Sequence, residues 1–86
     1  MKKKEKKRNV VRVIHKIYRI MPELKGPMED AFAYTAPEIL WWQLTRFINN
    51  NVRADSSDPR SVAVYATLMG VSKRKMREMI DDPHTL

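Results

Sequence analysis

Four cations crowd into a short stretch late in the chain, "SKRKMR" (72–77): Lys73, Arg74, Lys75 and Arg77, with the hydroxyl of Ser72 ahead of them. Side chains of these types recognise anions. A guanidinium is a planar fork that pairs bidentately with a phosphate or a guanine edge, while lysine ammonium and serine hydroxyl groups suit phosphates or either base type. A second cationic run opens the chain: Lys2, Lys3, Lys4, Lys6, Lys7 and Arg8 surround Glu5. Such a run tracks phosphates with strong salt dependence and little sequence information. A solubilising tail is the plainer reading of the same residues.

Bond-making chemistry is poorly supplied. The only histidines, His15 on a basic stretch and His84 near the end, have no nucleophile or orienting partner at a recognisable spacing. With only Gly26 and Gly70 there is no phosphate-cradling loop and no dinucleotide fingerprint. Glu29 and Asp30 read as first-turn helix residues rather than an acid–base pair. "DDPH" (81–84) holds metal-ligand types but reads as a terminal tail. No catalytic residue, metal or cofactor is therefore expected, and the chain is read as a non-enzyme.

The 86 residues carry 17 Lys and Arg against 10 Asp and Glu, a net charge of +7. A chain of this length buries roughly 60% of its unfolded surface, enough for one modest core. The absence of cysteine leaves no disulfide framework and no thiolate zinc site. "ILWW" (39–42), like every other apolar run in the chain, is far too short to span a bilayer. The lysine-rich start looks like a signal-peptide n-region, but Arg12, His15, Lys16 and Arg19 interrupt the segment that would have to be apolar. A cytoplasmic protein is expected. The charge is uneven: nine bases face one acid in residues 1–20, four face six in 21–60, and four face three in 61–86. This balance suits a polyanionic partner, nucleic acid or an anionic surface.

The elements that would position these groups read as helices. Residues 1–8 form a flexible basic arm, residues 9–82 a single domain, and 83–86 a tail. From Asn9, Val10, Val13 or Ile14, Ile17, Tyr18 and Met21 recur at helical spacing, with Arg12, His15, Lys16 and Arg19 on the other face. Pro22 stops this helix, and the proline-bearing "MPELKGPMED" is a connector, with a short helix from Pro27. Next comes "TAPEILWWQLTRFINN" (35–50), where Thr35 and Glu38 have capping-box spacing. It is expected to bury Leu40, Leu44, Phe47 and Ile48 with Trp41 at the edge of the stripe, leaving Ile39 and Trp42 on the opposite side, where cover by the N-terminal helix is favoured over a protein interface. "NNNVRADSSDPR" (49–60) is a loop, and Asp58–Pro59 starts a helix that Gly70 ends. Ser72 caps a last helix reaching Asp81. A strand over 60–68 is the competing reading, because Val62, Val64 and Ala66 alternate. The expected fold is all-α, a small bundle of four to five short helices.

From Val62 to Met79 the residues resemble the helix-turn-helix family of DNA-binding motifs. Ala66 stands where that motif wants a small residue, Gly70 where it wants a left-handed backbone, Val71 where it wants an apolar residue and Ser72 where it wants a cap. Tyr65, Met69, Met76 and Met79 fall where its two helices pack. The resemblance implies a motif at about 59–81 whose second helix, Ser72–Ile80, enters the major groove with its first two turns. Ser72, Lys73, Arg74, Lys75 and Arg77 would then meet double-stranded DNA, the arm would add phosphate contacts, and the role would be transcriptional regulation. Glu78 departs from an easy match, and Asp81 and Asp82 oppose both the helix dipole and DNA.

The alternative is an adaptor or inhibitor that binds a larger protein through Trp42, Ile39 and the basic first helix; a homodimer through the same pair is the related expectation. RNA is the weaker polyanion, for want of an aromatic stacking platform. The first helix has the pattern of a membrane-surface or groove-filling helix, but a core role is favoured because the domain otherwise lacks a wall. The methionines Met69, Met76 and Met79 read as core rather than as an adaptable groove.

Overall fold

In a computed structural model of the protein, which describes residues 2–82 and the side chains of residues 10–82, the chain forms five α-helices and two 3-10 helices. No strand occurs among the described residues, so the region 60–68 is helical. None of the helices is long and apolar enough to cross a membrane.

Helix α1 (Lys2–Ile20) buries Val10, Val13, Ile14 and Ile17, and Arg12, His15, Lys16 and Arg19 are exposed on its other side. The backbone of α1 includes residues 2–8, while the side chains of the basic run lie outside the described residues. Pro22 does end α1, but the stretch expected as a connector is helical. A 3-10 helix at Pro22–Leu24 leads directly into α2 (Lys25–Phe32). Both prolines are tolerated there: Pro22 opens the 3-10 helix and Pro27 sits third in α2, where amide hydrogens have no intrahelical acceptor. Leu24 and the fully buried Met28 hold this segment to the core.

A second 3-10 helix, Pro37–Ile39, continues into α3 (Leu40–Asn51). The expected capping box does not form. Ala36, extended at φ −66° and ψ 143° as the residue before Pro37, takes the cap position, and no side chain caps it. Thr35 Oγ1 instead turns back to the Ala31 carbonyl (3.5 Å). The helix also runs through all three asparagines, with Asn51 Nδ2 donating to the Phe47 carbonyl (2.8 Å). The loop therefore starts at Val52. Phe32 and Phe47 meet edge-on at 5.7 Å and join α2 to α3.

Helix α4 (Pro59–Met69) starts as the sequence implies: the Asp58 carboxylate accepts from the Arg60 amide (3.0 Å), and Pro59 occupies the first helical position. It packs against α1 on one side and α5 (Lys73–Asp81) on another. Six consecutive residues, Ser61 to Ala66, are buried. The loop before α4 is fastened to it. Ser61 Oγ donates to the Arg53 carbonyl and accepts from the Asp55 amide, while Tyr65 Oη donates to the Val52 carbonyl at 2.7 Å. The fully buried apolar side chains are Ile17, Met28, Leu44, Ile48, Val62 and Val64, drawn from α1 to α4. Each contributes roughly 1.5–3 kcal/mol by leaving water.

Candidate functional site

The end of α4 is built by local chemistry. Gly70 lies in the left-handed region (φ 71°, ψ 34°), where a side chain would be disfavoured. The Gly70 and Val71 amides both donate to the Ala66 carbonyl, at 2.9 and 3.1 Å. The second of these is the bond from two residues past the helix end that closes a Schellman-type terminus. Ser72 is extended, and its Oγ accepts from the Lys75 amide (3.1 Å), capping α5. Three residues thus separate the two helices.

Only Met76 is fully packed on α5; Met79 and Ile80 are partly buried against the core. At about 100° per residue, that apolar stripe puts Arg74 and Glu78 on the opposite face, with Lys73, Lys75 and Arg77 flanking it. Ser72, Lys73, Arg74, Lys75 and Arg77 are all exposed. None of these cations makes an ion pair with another described residue. The ion pair the described residues do form, Arg60 with Glu23 at 2.8 Å, lies at the opposite end of α4. There the guanidinium holds the Glu23 carboxyl below its usual range. At the far end of α5, Asp81 accepts a hydrogen bond from Ser56 Oγ, so this carboxylate is turned back toward the loop.

The expected interface pair is also exposed, Ile39 at 46% and Trp42 at 56%, with the Arg46 guanidinium 5.3 Å from the Trp42 ring centre. One expectation fails nearby: Met69, assigned to helix packing, is 50% exposed. Trp41, at the edge of the buried stripe, is 44% exposed. Both belong to an open groove of about 1450 Å³ bounded by α1, the start of α3, the end of α4 and the turn. Val11 and Val13 of α1, Leu40 and Trp41 of α3, and Ala66 and Met69 of α4 supply much of its apolar surface. Arg12, Lys16 and Lys73 line it as well, so cations of the first and last helices share one cleft; Arg74 and Arg77 lie outside it. Nothing local in the sequence marks this groove, since each wall comes from a different helix.

Among the described residues no cluster of His, Asp or Glu could hold a metal ion; His84 lies outside them. Comparison with protein-family models, curated proteins and solved structures finds no match for the chain.

Proposed function

We propose that this protein binds double-stranded DNA, with the first two turns of α5 in the major groove, and acts as a transcriptional regulator. The observation that carries the reading is the presentation of α5. A three-residue turn with left-handed Gly70 and a Ser72 cap exposes Lys73, Arg74, Lys75 and Arg77, all without ion pairs to described residues. Asp81, which would repel phosphate, is engaged by Ser56 instead. The exposed amides at the start of α5 add a favourable dipole for a phosphate. Lysines and arginines of residues 2–8 then extend the electrostatic footprint along the backbone.

The test is fluorescence anisotropy with mixed-sequence duplex DNA across a salt series. The proteins are the wild type, a deletion of residues 1–8, and the triple variant Lys73→Ala, Arg74→Ala, Arg77→Ala. Loss of the three cations is expected to weaken binding and reduce the log–log salt slope by about 3, roughly one for each phosphate contact removed. The deletion should flatten the slope further. No wild-type binding at low salt, or a triple variant that binds like the wild type, would overturn the reading.

A second reading, an adaptor for a larger protein, draws on the exposure of Ile39, at the end of the second 3-10 helix, and of Trp42 on α3. It becomes the leading one if duplex DNA is not bound.

A further inference from the structure

The groove between α1, α3 and α4 is distinct from the Ile39–Trp42 pair and from Arg74 and Arg77, and shares only Lys73 with α5. Val11, Trp41 and Met69, exposed at 51%, 44% and 50%, all lie within it. Apolar residues scattered singly over a surface need no explanation, but three large ones in a single cleft do. A volume of about 1450 Å³ exceeds the range of about 300–1000 Å³ usual for small-molecule sites and suits a peptide segment. The charges at its margin are unbalanced: Arg12, Lys16 and Lys73 stand against Glu38 alone.

We infer that this groove is a docking site for an acidic amphipathic helix of a partner protein. A helix laid in an apolar groove inserts residues at i, i+3 or i+4, and i+7, leaving its flanks beside the rim. Here those flanks meet cations contributed by α1 and by the start of α5, so acidic flanks are complementary and basic ones are repelled. The long-range field has the same sign, because residues 1–20 carry nine bases against one acid. Methionine and tryptophan on the walls suit the role: Met69 adapts its rotamers to the inserted side chains, and Trp41 offers a large rigid surface.

The probe is a fluorescein-labelled designed peptide helix with leucines at those spacings and glutamates elsewhere. One control replaces its glutamates with lysine, the other its leucines with serine. Anisotropy is read with the full chain, and amide chemical-shift changes locate the site. Saturable binding of the acidic peptide is expected, with shifts centred on Val11, Trp41 and Met69 and loss of binding in both controls. Met69→Glu should weaken binding about tenfold or more, equivalent to about 1.4 kcal/mol, and Trp42→Ala should leave it unchanged. The double charge reversal Arg12→Glu, Lys16→Glu should weaken the acidic peptide and admit the lysine peptide, a gain that unfolding cannot mimic. Several results would overturn the proposal: equal binding of both charge types, shifts centred on Ile39 and Trp42, or no binding at all. So would concentration-dependent shifts at Trp41 and Met69 without peptide, which would make a second copy of the chain the occupant.

Discussion

Helices α4 and α5 are neighbours in sequence and similar in length, at 11 and 9 residues, yet they relate to water in opposite ways. Helix α4 buries seven residues, Ser61–Ala66 and Leu68, whereas α5 buries only Met76. The difference lies in what surrounds each. α1 and α5 flank α4, and Tyr65 reaches the end of α3, so nearly every face is covered. Ser61, Ala63 and Ala66 are small enough for neighbours to come close, and the Ser61 hydroxyl is satisfied within the interior. α5 packs chiefly on α4, with a narrow stripe, and turns the rest of its surface to solvent. Burial on several sides makes one helix a frame, and contact along one stripe makes the next a presented surface.

This contrast is open to direct attack. The largest effect is expected from Leu68→Ala in α4, which removes a side chain only 4% exposed and should cost about 2–5 kcal/mol in urea denaturation. Arg74→Ala in α5 should change stability by less than about 0.5 kcal/mol. Similar losses for the two would dissolve the distinction between frame and presented surface.

Tyr65→Phe probes the link between the frame and the loop before it. The change leaves the buried Val52 carbonyl without its 2.7 Å donor, for an expected cost of about 1–3 kcal/mol. Burial also raises the Tyr65 phenol above its ordinary value of 10.0. The folded state therefore holds this proton more tightly than the unfolded chain does. The resulting stability is complete below the unfolded pKa of about 10 and is lost as pH rises through the folded value. Tyr18, raised by burial and then by the charge of Glu29, contributes in the same direction. Alkaline unfolding followed by circular dichroism should show a weaker pH dependence in Tyr65→Phe than in the wild type.

Between Leu68→Ala and Arg74→Ala in expected size lies the joint between the helices. An added Cβ at Gly70 would meet nothing within 4 Å, so Gly70→Ala should cost only the left-handed backbone penalty, about 1–2 kcal/mol. A larger cost in a melting experiment would mean that the turn is under tertiary constraint.

Residues 58–82 were the most legible part of the sequence because their signals are local. Asp58 with Pro59 starts a helix, Gly70 ends it and Ser72 starts another, each through bonds to residues two to five positions away. The helix expected from Pro27 starts earlier, across 22–26, for a related reason: a proline at a helix start and a proline in a connector look alike until the burial of Leu24 is known. The capping box at Thr35 failed by one position, since Ala36 rather than Thr35 precedes Pro37. Helical angles alone put Ile39 and Trp42 opposite the buried stripe and Trp41 at its edge, but not whether a neighbour covers them. Their exposure, like that of Met69, depends on contacts among α1, α3 and α4 that no single window of sequence contains.

The run of six buried residues in α4 has a consequence for how such a chain can diversify. Every substitution from Ser61 to Ala66 alters a surface already in contact with a neighbour, whereas Arg74, Lys75, Arg77 and Glu78 touch chiefly solvent. A randomised library selected only for folding would therefore hold α4 nearly fixed while the outer letters of α5 drift freely. If that face binds DNA as proposed, its preference could be rewritten several times over without the fold registering any of the changes.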